Sequence, residues 1–282
     1  MARGRDDDRQ NVSMDRRPAL IVAHPGHELV LFGWMEETQP VVTVLTDGSG
    51  RDGASRLAST LNVLRETGAV PSDRIAPRSD REFYAAVLSG NVDLFIDLAT
   101  TLGDELAERE TVCVAGDARE GFNPIHDICR MIIDAAVARA QQSGSVIANY
   151  EFSLFQPHDR IACDARQHGV CRILSEEQFQ RKIDAATNYP ELATELEWAF
   201  TGSTRKVLQK YPDLASIVDG VIGGMNERSF ATECLLPARE VSLAGRPFYE
   251  RYAERLVADG RYEQAIRYRE HVQPIERALA AL

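Results

Sequence analysis

The chain has 282 residues, of which 44% are hydrophobic, and it carries a formal net charge of −11. This length and composition allow a sizeable core and exclude a wholly disordered chain. The acidic balance argues against a general nucleic-acid binder. No stretch reaches the roughly 20 apolar residues that a membrane-spanning helix needs. We therefore expect neither nucleic-acid nor membrane partners, and we leave open whether the chain forms homo-oligomers.

Residues 1–17 are rich in Arg and Asp and lack the apolar core of a signal peptide, so we predict a disordered tail. The five cysteines are scattered and form no Cys-x-x-Cys pair. This usage is typical of free thiols in a reducing compartment, and we predict a cytoplasmic protein.

The first apolar run, residues 19–23, ends abruptly in His24-Pro25-Gly26-His27-Glu28. An amphipathic segment follows over residues 29–36. This pattern predicts a buried strand, a tight turn and a helix. Ligands of open α/β sheets bind at the carboxyl ends of strands, so the two imidazoles and the carboxylate stand where a site is expected.

The same pattern recurs twice. Residues 40–45 form an apolar run that ends in Thr46-Asp47-Gly48-Ser49-Gly50, and a helix is predicted from residue 54 to a stop at Gly68. Residues 111–115 are predicted as a strand and are followed by a polar segment. The next helix, over residues 125–142, has Pro124 in its first turn. His126 therefore has the same setting as His27.

Further helices are predicted over residues 83–88 and 92–109, and a further strand over residues 145–155. Alternation of strand and helix predicts a Rossmann-like α/β fold, with a mostly parallel sheet and helices on both faces.

Beyond residue 174 the composition shifts toward helical periodicity. We predict an α/β metal-binding domain over residues 18–174 and a mainly helical C-terminal extension over residues 175–282. Within the extension, helices are predicted over residues 175–208 and 248–282, and residues 225–237 are predicted to be irregular.

Three histidines at predicted strand ends, His24, His27 and His126, are the candidate metal ligands. Three neutral imidazoles hold one divalent ion and leave a coordination position open, which is the pattern of a catalytic zinc site. Zn²⁺ is the expected ion, with Fe²⁺ as the alternative. His158 follows a predicted strand and is a weaker candidate, whereas His168 and His271 are expected on the surface.

The order and spacing of these segments resemble the PIG-L/LmbE-like de-N-acetylase family over roughly residues 18–150. The matching segments are residues 23–28, Thr46-Asp47-Gly48, Arg56, and residues 123–126. The resemblance implies a Rossmann-like fold and zinc-dependent hydrolysis of N-acetyl groups on amino sugars and related amides.

The sequence departs from the family pattern at three positions. The general base of the family, an Asp, is replaced by Gly26, and an Asp ligand is replaced by His27. A His that assists the tetrahedral intermediate is replaced by Asn123. The metal-ligand positions are thus kept as three histidines, whereas both acid–base positions differ.

Nearby polar residues are candidates for the missing roles. Asp47 and Glu28 are predicted as catalytic carboxylates, while Asp127 is a further carboxylate beside a ligand. Arg56 and Asn123 are predicted to bind the substrate. Each has a structural alternative: an Asx-turn at Asp47, a structural carboxylate at Glu28, a surface ion pair at Arg56 and a helix-dipole contact at Asp127.

Three functions fit the sequence. The first is a metal-dependent hydrolase-like enzyme that cleaves the C–N bond of an amide or N-acyl small molecule. The second is a metal-dependent lyase or oxidative enzyme of specialised biosynthesis on the same scaffold. The third is a non-catalytic relative that binds a small molecule.

Overall fold

A computed structural model describes residues 16–50, 53–161, 163–193, 196, 226–239 and 245–282. Within these residues, seven strands form one sheet in the order β3-β2-β1-β4-β5-β7-β6. The strands are β1 (Ala19–Val22), β2 (Val41–Val44), β3 (Val70–Pro71), β4 (Cys113–Asp117), β5 (Ala148–Phe152), β6 (Val170–Ile173) and β7 (Thr232–Pro237).

The helices of the described ranges connect these strands. They are α1 (Phe32–Thr38), α2 (Leu57–Thr67), α3 (Asp80–Ser89), α4 (Val92–Glu108), α5 (Pro124–Gln142), α6 (Cys163–Gln167), α7 (Glu176–Thr187), α8 (Phe248–Ala258) and α9 (Gln273–Leu279). Short 3-10 turns cover His27–Leu31, His158–Arg160, Pro190–Leu192 and Glu227–Ala231, and a π-helical turn covers Tyr268–Val272.

Strands β1 to β5 run parallel, and β1 lies between β2 and β4. All four residues of β1 are buried, as expected for a central strand that is covered by helices on both faces. Strands β6 and β7 complete the sheet as an antiparallel edge. The predicted α/β class with a mostly parallel sheet is confirmed.

Two apolar layers cover the sheet. On one face, Phe83 of α3, Phe95 of α4 and Ile132 of α5 belong to one buried cluster, to which Ile275 of α9 contributes. On the other face, α1, α2 and α7 form a second cluster that includes Met35, Leu64 and Ala185.

The C-terminal part of the chain departs from the prediction at two places. The predicted helix over residues 248–282 is interrupted between α8 and α9, where residues 259–267 are not helical. Residues 225–237 were expected to be irregular, yet Thr232–Pro237 form β7, which pairs with both β5 and β6. The predicted tail up to residue 15, residues 194–195 and 197–208 of the predicted helix, and residue 225 lie outside the described residues. None of the helices in the described ranges is long and apolar enough to cross a membrane.

Two expectations about single side chains are wrong. Cys171 of β6 and Cys234 of β7 face each other across a strand pair and form a disulfide, so not all cysteines are free. Cys113 and Cys129 are free thiols, as expected. His271, expected on the surface, is buried, and its Nδ1 accepts a hydrogen bond from the Arg267 backbone N–H at 2.9 Å.

Candidate functional site

The candidate site lies where the chain leaves β1 and β4. These neighbouring strands are parallel, and their next partners lie on opposite sides: β1 leads to β2 and β4 leads to β5. A sheet with this topology opens a crevice at the carboxyl ends of the two strands. His24 and His27 follow β1, and His126 lies in the first turn of α5 after β4.

The structure brings the three predicted metal ligands together. The ring centroids of His27 and His126 are 4.5 Å apart, those of His24 and His126 are 5.2 Å apart, and those of His24 and His27 are 5.4 Å apart. All three pairs meet edge to face. Two separate strand-end turns therefore deliver one compact cluster of imidazoles, which we call the histidine cluster.

The turn after β1 depends on Gly26. Its φ of 103° lies in the region that side chains with a Cβ rarely adopt. A Cβ at this position would also lie 2.7 Å from Leu192 Cδ1. The Gly26 N–H donates to Glu28 Oε2 at 2.7 Å, so the buried Glu28 carboxylate fixes the backbone of the turn.

Helix α5 presents His126 from a well-capped N-terminus. Asn123 precedes the helix, and its Oδ1 accepts from the Ile125 N–H at 2.8 Å, while Pro124 occupies the first turn. Asp127 is fully buried, and its Oδ1 accepts from the backbone N–H groups of Glu120 and Gly121. These contacts fix the direction in which α5 leaves the sheet.

Asp117 holds the histidine turn from the neighbouring strand. It is the last residue of β4 and is fully buried. Its Oδ2 lies 2.9 Å from His27 Nδ1 and accepts from the Ala23 N–H at 2.9 Å. A carboxylate on Nδ1 orients the ring and leaves Nε2 as the nitrogen for a ligand, which is the arrangement that supports metal-binding histidines.

His24 is held in a similar way. Its Nδ1 lies 2.7 Å from Thr46 Oγ1 and 3.4 Å from Asp80 Oδ1. Asp80 opens α3, and its Oδ2 accepts from the Gly50 N–H at 2.7 Å. The loop after β2 and the start of α3 thus fix His24 through its Nδ1.

Two imidazole nitrogens in the cluster lack a hydrogen-bond partner. His24 Nε2 and His126 Nδ1 are buried and unpaired. Burial lowers the pKa of His24, although a hydrogen bond with Asp80 opposes the shift. Burial and then the neighbouring His27 lower the pKa of His126 well below its usual value. Both rings are therefore neutral near pH 7, the form in which an imidazole binds a metal.

As the side chains stand, no three or more His, Cys, Asp or Glu residues of the described ranges are arranged to hold a metal ion. The histidine cluster nevertheless fits a divalent ion in its chemistry: three imidazoles, two buried unpaired nitrogens and supporting partners on two of the rings.

The predicted catalytic carboxylates have structural contacts. Asp47 Oδ1 accepts from the Ser49 N–H at 2.9 Å and from the Asp80 N–H at 3.2 Å, which is an Asx-turn extended to α3. Burial raises the pKa of Glu28. Glu28 is fully buried and its carboxylate contacts the backbone of the turn. Asp47 is only half-buried, and it directly follows Thr46, which contacts His24.

The two predicted substrate-binding residues reach the site differently, since Asn123 lies three residues before His126 in the chain, whereas Arg56 comes from the segment before α2. Arg56 precedes α2, and its side chain lies against the turn: a Cβ at Gly48 would be 3.0 Å from Arg56 Cδ and 2.9 Å from Pro25 Cδ. Asn123 uses its Oδ1 as the helix cap. Their predicted roles toward a substrate are not tested by these contacts.

Sequence reasoning missed the partners of the histidines. Asp117 was placed in the polar segment after the strand, because the strand was predicted to end at Ala115, whereas β4 continues to Asp117. A carboxylate one strand away from a His-rich turn is the signal that would have found it. Asp80 carries no such local signal, because its approach to His24 depends on the path of the loop before α3.

His158, the weaker ligand candidate, has both ring nitrogens occupied. Its Nε2 donates to the Ser153 carbonyl at 2.9 Å, and its Nδ1 accepts from the Cys234 N–H at 2.9 Å. It joins β7 to the loop after β5 rather than entering the histidine cluster.

The histidine cluster is singled out by its chemistry rather than by its volume. A cavity of 1170 Å³ lies elsewhere, between α5, α8 and α9, with Arg119, Arg130 and Glu276 among its lining residues.

No protein-family profile matches the sequence, and a comparison with curated proteins finds no match. Among the solved structures to which this chain is similar are three deacetylases. The A40926 pseudoaglycone deacetylase Dbv21 is 16% identical with a TM-score of 0.48 and covers 80% of this chain and 100% of its own. The zinc-inhibited form of the teicoplanin deacetylase Orf2 is 12% identical with a TM-score of 0.42, covering 79% and 100%. A deacetylase–bog complex from the teicoplanin biosynthesis pathway is 12% identical with a TM-score of 0.44, covering 79% and 100%. These distant likenesses do not by themselves assign an activity.

Proposed function

We propose that the protein is a divalent-metal-dependent hydrolase that cleaves the C–N bond of an amide or N-acyl small molecule. The observation that carries the proposal is the histidine cluster. Three imidazoles from two strand ends meet at the switch point of the sheet, and two of their nitrogens are buried without a partner. Leaving two such polar atoms buried and unpaired costs free energy unless they bind something.

The ligating atoms follow from the contacts. His27 uses Nδ1 toward Asp117 and offers Nε2, while His24 uses Nδ1 toward Thr46 and also offers Nε2. His126 offers its unpaired Nδ1. A divalent ion bound there would polarise an amide carbonyl and lower the pKa of water toward about 7. Zn²⁺ is the first choice for three imidazoles, and Fe²⁺ is the second.

The residues around the histidine cluster orient the histidines, and their contacts do not identify a general base. Asp117 and Asp80 face Nδ1 atoms of the histidines, so their oxygens orient ligands. Glu28 fixes the turn through the Gly26 N–H. Of the two predicted catalytic carboxylates we favour Asp47 for proton transfer, because it is half-buried and adjacent to Thr46, whereas Glu28 is wholly buried. Arg56 beside Gly48 and Asn123 at the start of α5 are the proposed substrate contacts.

The engagement of these carboxylates in structural hydrogen bonds favours a second candidate. An oxidative reaction on the same metal site has no need of the carboxylate base that the hydrolase family has where this chain has Gly26. Oxygen consumption by protein loaded with Fe²⁺, in the absence of amide cleavage, would support this candidate.

The test is acetate or amine release from a panel of N-acetyl amino sugars and simple N-acyl amides. The full chain is loaded with Zn²⁺, and His126→Ala is measured beside it. We expect release by the wild type and none above background by the variant. Folded wild type that binds Zn²⁺ but cleaves no member of the panel would contradict the hydrolase proposal.

A further inference from the structure

The cavity of 1170 Å³ between α5, α8 and α9 is separate from the histidine cluster. Its lining includes none of His24, His27 and His126, and along α5 it begins at Arg130, one turn beyond His126. The volume is slightly above the roughly 300–1,000 Å³ that is usual for small-molecule pockets. We call it the arginine cavity, after the six arginines that line it: Arg119, Arg130, Arg239, Arg246, Arg267 and Arg269.

Four carboxylates also line the arginine cavity, and each pairs with one arginine. The pairs are Glu276 with Arg119, Asp134 with Arg130, Glu250 with Arg246, and Glu270 with Arg267. Glu254, which is outside the lining, contacts Arg246 and lies 3.6 Å from Arg267. The charges of these four guanidinium groups are therefore already balanced within the protein.

The two remaining arginines of the cavity are available to a ligand. Arg239 follows β7, and Arg269 lies in the π-helical turn before α9. Both are exposed, and neither forms an ion pair with another residue of the described ranges. Glu151 of β5 lies near Arg239, but burial raises the pKa of Glu151 and so disfavours its charged form. Two guanidinium groups that line one cavity thus have no ion-pair partner in the described part of the chain.

Part of the wall of the arginine cavity is apolar. Met131, Ala135 and Ala138 line it from one face of α5, at helical spacing. Leu279 of α9 and Leu282 line it as well. We call these five residues the apolar strip. The strip offers surface to the uncharged part of a ligand, whereas the guanidinium groups offer hydrogen bonds to an acid group.

We propose that the arginine cavity binds a small organic anion, with its phosphate or carboxylate head at Arg239 and Arg269 and its apolar body on the apolar strip. A guanidinium group binds either head through two parallel hydrogen bonds, and an unpaired one does so without breaking an ion pair of the protein. The net charge of −11 on the chain repels anions, so binding depends on these local contacts. This site needs no metal ion and is independent of the proposed hydrolase activity.

The experiment compares probes that share a benzene ring and differ in charge: phenyl phosphate, benzoate and neutral benzyl alcohol. Their dissociation constants are measured by ligand-observed NMR on the full chain without added Zn²⁺. Charge-assisted hydrogen bonds predict that the better of the two anions binds about 10-fold or more tightly than benzyl alcohol, and it identifies the head group. Inorganic phosphate and acetate, which lack the ring, should bind more weakly than their ring-bearing counterparts. Equal affinities in either comparison, or no binding of either ring-bearing anion, would overturn the proposal.

Variants locate the bound anion. Arg239→Gln combined with Arg269→Gln should weaken the better anion about 10-fold or more. The matched control is Arg181→Gln combined with Arg228→Gln, which removes the same charge from exposed arginines outside the cavity lining. It should leave the affinity unchanged in about 0.1 M NaCl, where exposed charges more than about 10 Å apart are largely screened.

Circular dichroism checks that each variant is folded. Full affinity in the folded Arg239 and Arg269 double variant, or an equal loss in the control, would overturn the proposal. Loss of binding in folded His126→Ala would place the anion at the histidine cluster and would overturn it as well. Amide cleavage is measured separately with Zn²⁺, so failure of the anion site and failure of the hydrolase proposal are distinguishable.

Discussion

Replacement of Asp117 by Asn perturbs the support of the histidine cluster while changing few atoms. The carboxylate is fully buried at the end of β4, and its Oδ2 serves both His27 Nδ1 and the Ala23 N–H at 2.9 Å. The Asn side chain has nearly the same shape but no charge. It also places an NH₂ group where the carboxylate has Oδ1, which has no partner.

The expected effect is on metal affinity. Loss of a carboxylate that orients a metal-binding histidine typically weakens the metal about 10- to 100-fold, which corresponds to roughly 1.4–2.7 kcal/mol. His27 would keep its place in the turn, because Gly26 and Glu28 still fix the backbone there. We therefore expect Asp117→Asn to fold and to bind Zn²⁺ in this weaker range.

The assay is competition for Zn²⁺ against a chelator of known affinity, with circular dichroism as the check of folding. Asp134→Asn is the matched control, because Asp134 is a half-exposed carboxylate on α5 that pairs with Arg130 instead of a histidine. Unchanged Zn²⁺ affinity in folded Asp117→Asn would refute the reasoning, since Asp117 would then not support a metal ligand.

Three further predictions concern strain, protonation and buried charge. Gly26→Asp should lower the free energy of unfolding by about 1–3 kcal/mol and bring no amidase activity. The new side chain would collide with Leu192, and the backbone at position 26 has a positive φ. A thermal melt identical to that of the wild type would contradict this prediction. Burial lowers the pKa of His158 to about 4, so neutral His158 stabilises the fold fully above about pH 6.5. This contribution, at most about 3 kcal/mol, is lost as the pH falls toward 4. His158→Gln should therefore flatten the pH dependence of the free energy of urea unfolding between about pH 6.5 and 4, and an unchanged slope would exclude His158 as its source. Lys182→Met should lower the free energy of urea unfolding by about 3–5 kcal/mol, because Glu233 would remain buried without the Lys182 ammonium that lies 2.9 Å away. A loss below about 1 kcal/mol would show that this ion pair is not needed for stability.

Local periodicity was enough to place the strands and helices that carry the histidines. Strands β1 and β2 and helix α5 match the predicted runs within about two residues, because each has a strong hydrophobic pattern and α5 has its Asn123 cap and Pro124. The close approach of the three histidines also follows from the sequence, since parallel neighbouring strands bring their carboxyl ends to one edge.

The partners of the histidines could not be predicted from local pattern. Asp117 contacts His27 across 90 residues of chain, and Asp80 reaches His24 only through the loop before α3. Strand β7 was missed because its pairing with β5 and β6 is long-range. The roles of Asp47 and Arg56 toward a substrate remain predictions.

The metal content of the purified full chain tests the central claim most directly. After Zn²⁺ loading and removal of excess ion, the wild type should retain one equivalent, and so should His168→Ala, which alters an exposed histidine outside the cluster. Folded His24→Ala and His126→Ala should retain little or none. A folded wild type with no stoichiometric metal, or full occupancy in both cluster variants, would contradict the account.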